Sequence, residues 1–411
     1  MKLMVYSHDT FGLGNIRRMV SICEYLLDMI PDLSILLISG SPLLHHFRLP
    51  QGLDYIKLPC LRRDCSGTLT AKYLGADQDD VVQMRAELIL SAAANYKPDC
   101  LLVDKKPGGL QQELLPTLEH LAIKQGQTRC VLLLRDILSS PIETKAEWQR
   151  GGYSELIQAF YDEIWVVGSP EVFDLRIEYQ LPFGVAEKVR FCGYLRKSPG
   201  SILTASPHQN LHPLPGEKVV LVTPGGGEDG YNLIDTYLRA LEILPAGVLL
   251  CSLIVLGPDM PIPQQQELFQ RAAGHARIHM QNFSSDLMGL MSRADVVVSM
   301  AGYNTICEIL SLAKQAVVVP RIQPVLEQLI RAERMAALGL VRTIHPEKLT
   351  PAHLLTAVLD QLQGPATASS SSINLNGHSR IIHHLFNVLK QPRRICPVIP
   401  LPTPISFSQS A

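Results

Sequence analysis

The sequence predicts an α/β protein made of two tandem domains, each with a doubly wound parallel sheet. Apolar runs typical of buried strands alternate with amphipathic helical segments. A stretch rich in Ser, Pro, His and Asn interrupts this alternation at residues 195–217, and the alternation then restarts. Each half opens with a strand, a glycine-containing loop and a helix, which is the start of a nucleotide-binding α/β unit.

Composition excludes several classes of protein. The formal net charge of −1 gives no basic field for nucleic acid. The nine cysteines contain no CxxC pair and no accompanying His cluster, which argues against zinc and for a reduced compartment. The apolar run at the N-terminus is too short for a signal peptide. The longest apolar stretch, 246–257, falls short of the roughly 20 residues that span a bilayer. We expect a cytoplasmic protein, with peripheral membrane contact left open.

The first half reads as alternating strands and helices. The first glycine-containing loop, 8–14, precedes a helix whose apolar face runs from Ile16 to Ile30, and a polar loop extends to Leu74. The predicted strands are 2–7, 34–39, 54–58, 100–103, 130–134, 164–167 and 188–191, and two further helices are predicted at 79–96 and 109–124.

The second half repeats this architecture without repeating its sequence, so two Rossmann-like units lie in tandem. Its strands are predicted at 219–222, 250–256, 277–280, 296–298 and 316–319, and helices at 233–244, 287–292 and 326–338. We divide the chain into a first domain (1–195), a linker (196–216), a second domain (217–362), a flexible spacer (363–379), a last amphipathic helix (380–391) and a disordered tail (392–411).

The stretch 294–312 carries the clearest binding signal. A buried strand ends in small residues, among them Gly302, and a helix follows for which Asn304 and Thr305 are good N-cap types. A helix N-terminus after such a turn offers free N–H groups and a positive dipole end to a diphosphate. Glu308, one turn further on, is within reach of an attached ribose. The alternative is a capping box, in which Glu308 reaches back from Thr305 to its own helix start.

Two more segments are candidates for the same ligand. Gly225, Gly226 and Gly227 could bring backbone N–H groups against a phosphate, or could only form a tight strand-to-helix turn beside two acidic residues. Glu327 and Gln328 pair an acid with an amide, which suits sugar hydroxyls that both donate and accept, or they form an ordinary solvated helix start.

Other motifs argue against rival chemistries. Gly12-Leu-Gly14 lacks the third glycine of a dinucleotide-binding fingerprint, and no Walker A lysine follows either glycine loop. Asp77-Gln-Asp79 spells a DxD sequence, but it stands at a helix start, where acids are favoured without a metal. We therefore expect neither a metal nor a cofactor.

Three residues of the first half stand at predicted strand ends, and the first of them is a candidate for a general base. His8 follows the first strand and has an ordinary pKa near neutrality. Asp104 and Asp136 follow two other strands of the first half, at the sheet edge where ligands bind in doubly wound folds. A packing role for His8, or helix capping by the two acids, is the alternative.

Taken together, these segments resemble the GT-B glycosyltransferases, and within them the MurG-like group of family 28. The resemblance is carried by VVVSMAGYNTICEIL and VVVPR…EQLIRAERMAALG in the second half. It is also visible in HDTFGLGNIRRM, VDKKPGGLQQEL, LLLRDIL and WVVGSPEVFD of the first.

The resemblance implies two domains that face each other across a cleft, with a last helix that returns to the first domain. It also implies a metal-independent, inverting hexosyltransferase that uses a nucleotide-sugar, expected to be a UDP-sugar, as co-substrate. The acceptor, either lipid-linked or a small molecule, would bind the first domain. By position, the diphosphate would meet Gly302, Tyr303, Asn304 and Thr305, the ribose Glu308, and the sugar Glu327 and Gln328, with Gly225–Gly227 as a second cleft-facing loop.

The acceptor-side loop departs from the pattern. Related sequences place His after Gly-x-Gly, whereas this chain has Gly12, Gly14 and then Asn15, and asparagine cannot act as a base. His8, Asp104 or Asp136 would then supply the base. The alternatives are a nucleotide-sugar epimerase or hydrolase on the same fold, a protein that binds the donor without transferring the sugar, and an unrelated Rossmann-type oxidoreductase, which the missing third glycine disfavours.

Overall fold

The computed structural model describes residues 1–8, 14–42, 44–46, 49–63, 69–197, 213–364 and 373–392. Within these residues the chain forms two larger sheets, of seven and six strands, and one small antiparallel pair. No helix in the described ranges is long and apolar enough to cross a membrane. Gly12, most of the predicted linker, residues 365–372 of the spacer, and the tail after Pro392 lie outside the described residues.

The first sheet is entirely parallel, in the order β3-β2-β1-β6-β7-β8-β9. Its strands are β1 (Lys2–Ser7), β2 (Ser34–Ser39), β3 (Leu53–Lys57), β6 (Cys100–Asp104), β7 (Arg129–Arg135), β8 (Glu163–Val167) and β9 (Val189–Phe191), and the small pair is β4 (Leu61–Arg63) with β5 (Leu69–Ala71). Every residue of β6 and β8 is buried, as expected for central strands covered on both faces.

The helices of the first half connect these parallel strands. They are α1 (Gly14–Met29), α2 (Gln78–Tyr96), α3 (Leu115–Ile123), α4 (Pro141–Arg150), α5 (Tyr153–Phe160), α6 (Leu175–Glu178) and α7 (Phe183–Ala186), with 3-10 turns at Leu44–His46 and Leu110–Gln112.

The second sheet is also parallel, in the order β12-β11-β10-β13-β14-β15. Its strands are β10 (Lys218–Thr223), β11 (Leu250–Val255), β12 (Ile278–Gln281), β13 (Val296–Ser299), β14 (Gln315–Val318) and β15 (Arg342–Thr343). The helices are α8 (Tyr231–Glu242), α9 (Ile262–Ala272), α10 (Leu287–Arg293), α11 (Tyr303–Ser311), α12 (Glu327–Ala337) and α13 (Pro351–Gln363), with a 3-10 turn at Pro346–Lys348.

The last helix, α14 (Gly377–Lys390), leaves the second half and packs on the first. It contacts α1 and β8, and its side chains Ile381, Leu385 and Val388 are buried in the same apolar core as the first sheet. Tyr194 donates its backbone N–H to the Asn374 carbonyl at 2.7 Å, which fixes the entry into α14. The helix begins earlier than the predicted Arg380.

Three sequence-based expectations about local structure were wrong. The loop that was predicted to run to Leu74 contains the pair β4 and β5. The helix predicted for 109–124 is interrupted, because Gln111 has a left-handed backbone (φ 49°) and α3 starts only at Leu115, with Pro116 in its first turn. Helix α11 begins at Tyr303 with Gly302 as its N-cap, so Asn304 and Thr305 lie inside the helix.

The strand order reverses direction at one place in each sheet. In the first sheet the reversal lies between β1 and β6, and in the second between β10 and β13. Ligands of doubly wound proteins bind beyond the carboxyl ends of the strands at such a point. His8 and Asp104 stand at the first reversal, and the loops that carry Gly225 and Gly302 stand at the second.

Candidate functional site

A cavity of about 350 Å³ lies between the two domains. Its lining contains every residue predicted to bind the donor: Gly225, Gly226, Gly227, Gly302, Tyr303, Asn304, Thr305, Glu308, Glu327 and Gln328. The first domain contributes Gly14 and Asn15, at the start of α1. Residues more than 300 positions apart in sequence therefore share one cleft.

The N-terminus of α11 opens into this cavity. The first N–H groups of a helix have no intrahelical acceptor. The N-cap of α11, Gly302, makes no side-chain capping bond to them. A β-carbon placed on Gly302 would have its nearest neighbour, the Gln328 amide nitrogen, at 4.0 Å, so the space above the turn is open. Asn304 donates a side-chain hydrogen bond to the Gly14 carbonyl at 3.0 Å and thereby joins α11 to α1.

The glycine loop after β10 has one face toward the cavity and one against the sheet. Gly225 has φ +91° and open space around its α-carbon. Gly227 has φ +96°, and a β-carbon there would lie 2.4 Å from the Leu256 carbonyl oxygen. Of the neighbouring acids, Asp229 forms an ion pair with Arg321 at 3.7 Å, which offsets part of the negative charge beside the loop.

Glu308 is buried at the wall of the cavity, with 6% of its surface exposed. Burial raises the pKa of its carboxyl group, and the positive charges of Arg17 and Lys197 act in the opposite direction. The capping-box alternative is wrong, since Thr305 is not the N-cap of α11. The carboxyl group of Glu308 thus borders the ligand space.

The acid-amide pair at the start of α12 is already partly bonded. Arg135 of the first domain contacts Glu327 at 2.6 Å, and only 5% of the Glu327 side chain is exposed. Burial acts to raise the pKa of Glu327, but Arg135 and Arg331 outweigh burial and lower it. The side-chain oxygen of Gln328 accepts from the Arg321 backbone N–H at 3.3 Å. A solvated helix start is therefore not what these two residues form.

The candidate bases lie outside the cavity lining. His8 is 8% exposed, and its Nδ1 lies 3.5 Å from Oδ2 of Asp104. Burial lowers the pKa of His8 although Asp104 opposes this, so the imidazole is neutral at pH 7. Burial would raise the pKa of Asp104, but Arg18, bonded to it at 2.7 Å, and His8 lower it below its usual range.

Asp136 is held in a contact between the two domains. Both of its carboxylate oxygens bind Arg331 of α12 at 2.8 Å, and the Tyr194 hydroxyl donates to the same carboxylate at 2.9 Å. This carboxylate is buried and has no face toward the cleft, so its geometry suits a structural contact better than proton transfer. The helix-capping alternative for Asp104 and Asp136 does not describe their main contacts.

Several lining residues were not predicted, among them Arg17, Arg135, Asp259, Phe283 and Arg321. Two signals in the sequence could have found some of them. Arg17 follows the first glycine loop within one helical turn, and Arg135 occupies the end of β7 directly before Asp136. Asp259, Phe283 and Arg321 lie on loops that follow strands. These loops contain no motif, so nothing in the sequence marks the three residues as part of the cleft.

No group of three His, Cys, Asp or Glu side chains able to hold a metal ion occurs among the described residues. The first acid of the DxD sequence caps a helix. Asp77 is the N-cap of α2, and its carboxylate accepts from the Asp79 backbone N–H at 2.9 Å.

Comparison with known families identifies the second half. Residues 233–385 match the model of the glycosyltransferase family 28 C-terminal domain. Over these residues the chain is similar to that domain. This match confirms the resemblance found in the sequence and supports glycosyltransferase activity. No curated protein sequence matches the chain.

Solved structures resemble the whole molecule. MurG of Acinetobacter baumannii has 15% sequence identity and a TM-score of 0.59, covering 94% of this chain and 99% of its own. The glycosyltransferase VinC, in complex with DTDP, has 14% identity and a TM-score of 0.62, covering 95% and 99%. A putative UDP-N-acetylglucosamine 2-epimerase of Listeria monocytogenes has 13% identity and a TM-score of 0.63, covering 96% and 98%. The fold is therefore GT-B, with two Rossmann-like domains.

Proposed function

We propose that this protein transfers a hexose from a nucleoside-diphosphate sugar, with UDP as the nucleotide, to an acceptor bound on the first domain. The observation that carries the proposal is the convergence of an uncapped helix N-terminus, a glycine loop, a buried glutamate and an acid-amide pair around one interdomain cavity. The resemblance to MurG-like enzymes, together with relatives that are named for UDP or bound to DTDP, points to a pyrimidine nucleotide.

In this proposal the N–H groups at the start of α11 bind the diphosphate. They carry partial positive charge, and the adjacent Gly225 leaves room for phosphate oxygens on the opposite side. The same groups stabilise the diphosphate as it departs, since negative charge grows there when the bond to the sugar breaks. No metal is needed for that task, and we propose a metal-independent reaction.

The rest of the donor would be recognised by side chains of α11 and α12. Glu308 accepts hydrogen bonds from ribose hydroxyls at the cavity wall. Gln328 has its amide nitrogen facing Gly302, and it donates to a sugar hydroxyl, while Glu327 accepts from a sugar hydroxyl alongside its bond to Arg135.

His8 is the base that we propose for the acceptor. Its ring is neutral at pH 7, and the nearby Asp104 carboxylate favours the tautomer with hydrogen on Nδ1, which leaves Nε2 free to take a proton. The activated acceptor oxygen would attack the anomeric carbon in a single displacement as the nucleoside diphosphate leaves. A single displacement inverts the anomeric configuration.

The test measures release of nucleoside diphosphate from a panel of UDP-, DTDP- and GDP-sugars, with and without cell extract as the acceptor source. We expect release from a UDP-sugar that depends on the extract, is insensitive to EDTA, and gives an inverted product by NMR. Glu308→Gln should lose most donor binding. Glu333→Gln, which changes an exposed acid of the neighbouring helix α12, is the matched control and should behave as the unmodified protein.

Other outcomes would redirect the assignment. Release without extract would indicate an epimerase or hydrolase, the activity that names one structural relative. UDP-sugar binding with no turnover under any condition would indicate a binding protein and would draw attention to Asn15. Absence of binding to every nucleotide of the panel would contradict the proposal.

A further inference from the structure

One face of helix α12 carries a row of charges that meets the first domain. Glu327, Arg331 and Arg334 are spaced i, i+4 and i+7, so they project from the same side of the helix. Each one pairs with a residue of opposite charge in the first domain. The pairs are Glu327 with Arg135 (2.6 Å), Arg331 with Asp136 (2.8 Å) and Arg334 with Glu178 (2.6 Å).

The middle pair differs from its neighbour at the surface. The side chains of Arg331 and Asp136 are both fully buried, whereas Arg334 is 48% exposed and Glu178 29% exposed. Arg331 binds both carboxylate oxygens of Asp136 through two guanidinium nitrogens, each at 2.8 Å. A buried bidentate pair of this kind is geometrically strict, and losing one partner leaves an uncompensated charge in the interior.

The third nitrogen of Arg331 reaches the turn before α11. Its Nη1 donates to the Ala301 carbonyl at 3.0 Å. Ala301 has a left-handed backbone (φ 51°), a conformation that costs a non-glycine residue energy and persists only where surrounding contacts hold it. Gly302, the N-cap of α11, follows directly.

The first residue of α11 is held from the same direction. The ring of Tyr303 has the Arg331 and Arg18 guanidinium groups each 5.8 Å from its centroid, and it stacks on Tyr194 at 6.0 Å. Tyr194 in turn donates to Asp136. Asp136, Tyr194 and Arg18 all precede the linker, so they hold the first turn of α11 from the side of the first domain, with Arg331 as the link.

We propose that Arg331 is a positioning residue that couples closure of the two domains to the shape of the donor site. With the domains closed, Asp136 orients the Arg331 guanidinium, which holds the Ala301 carbonyl and keeps the N–H groups of α11 aimed into the cavity. When the domains separate, Arg331 loses its partner and the turn is free to relax. The identity of the ligand at this turn rests on the function proposed above, while the mechanical coupling does not.

The coupling is reciprocal, because two linked equilibria affect each other equally. A ligand that binds the ordered turn favours closure, and closure raises the affinity for that ligand. On this account Asp136 contributes to donor binding rather than to proton transfer, which distinguishes it from His8.

The test uses the full-length protein with Asp136→Asn, which keeps the shape and removes the charge. The matched control is Glu333→Gln, which changes an exposed acid of α12 that belongs to none of the three interdomain pairs. The first readout is hydrogen exchange at the amides of residues 301–305 without ligand, and the second is the Kd of UDP by calorimetry. For Asp136→Asn we expect faster exchange at this turn and UDP binding weakened about 5- to 150-fold, the usual range of such coupling. The control should change neither readout.

The outcomes of these two measurements separate the coupling from the proposed function. Unchanged exchange at 301–305 in Asp136→Asn would overturn the coupling, whether or not the protein binds UDP. Unchanged UDP affinity with lost turnover would return Asp136 to the role of base. If the unmodified protein binds no UDP but the exchange result holds, the function proposed above fails while the coupling stands. If Asp136→Asn does not fold, Arg331→Lys replaces it. Lysine keeps the charge but lacks the planar fork that reaches both Asp136 and Ala301, so the same two changes are expected.

Discussion

Two of the glycines in the loop after β10 allow a stringent test of how this loop is built. Gly225 and Gly227 have nearly the same backbone torsion, with φ of +91° and +96°. An added β-carbon meets nothing within 4 Å at Gly225, whereas at Gly227 it would lie 2.4 Å from the Leu256 carbonyl oxygen and 3.0 Å from the Gly257 α-carbon. The two alanine variants therefore share the cost of the torsion and differ in steric overlap.

The expected magnitudes follow from these two costs. Holding alanine at such a φ costs about 1–3 kcal/mol, which is all that Gly225→Ala should lose in the free energy of unfolding. Overpacking against backbone that cannot move freely adds about 1–3 kcal/mol, so Gly227→Ala should lose about 2–6 kcal/mol in total. The difference between the two variants isolates the steric overlap, because the unfolded-state contribution of Gly→Ala cancels in it.

The assay has to report on the second domain. Both tryptophans, Trp148 and Trp165, lie in the first domain, so their fluorescence would miss a local effect. Native-state hydrogen exchange of β10 and β11 measures the opening free energy of the affected sheet directly. Equal destabilisation of the two variants would refute the reasoning, since overlap with Leu256 would then contribute nothing.

Three further predictions concern stability and pH. Glu113→Ala leaves the fully buried Arg85, to which Glu113 is bonded at 2.5 Å, without its countercharge. The free energy of unfolding, measured by urea unfolding followed by tryptophan fluorescence, should fall by about 3–5 kcal/mol. A loss under about 1 kcal/mol would contradict this. Burial lowers the pKa of His378 and of His384 to about 4. The stability that their neutral rings contribute is therefore complete above the unfolded pKa near 6.5 and declines as pH falls toward 4. The double variant His378→Asn/His384→Asn should show a shallower decline in melting temperature over that interval. Asp77→Ala removes the N-cap of α2 and should cost about 1 kcal/mol without changing any metal dependence of activity, whereas a metal-dependent loss of activity would revive the DxD interpretation.

The sequence was most informative where burial dictates the pattern. Strands of a parallel sheet covered on both faces are continuous apolar runs, and for this reason β1 and β2 were predicted with the bounds that they have. The helix at 109–124 was misread because its apolar spacing continues past Gln111, whose left-handed backbone interrupts the helix. Local spacing carries no information about such a break.

The candidate site shows the same division. Residues at the carboxyl ends of strands could be assigned to one cleft from topology alone, since neighbouring parallel strands end at the same edge. The pairing of Asp136 with Arg331 could not be predicted from topology, because the two residues are 195 positions apart and each is a plausible site residue in isolation. The ion pair of Glu327 with Arg135 was missed for the same reason, because no residue near Glu327 in the sequence indicates it. Glu327 was therefore predicted only as a sugar-binding residue or a solvated one.

The return of α14 to the first domain has a consequence for biosynthesis. Ile381, Leu385 and Val388 belong to the core that the first sheet begins to form, but they are among the last of the described residues to be translated. At about 5–20 residues per second, residues 196–376 take roughly 10–40 s to emerge from the ribosome. During that interval the apolar surface of the first domain that α14 covers is exposed to solvent, while the strands of the second sheet are translated and can pair. The half that is translated first is thus completed last, and a premature stop shortly before α14 would damage the domain at the opposite end of the gene.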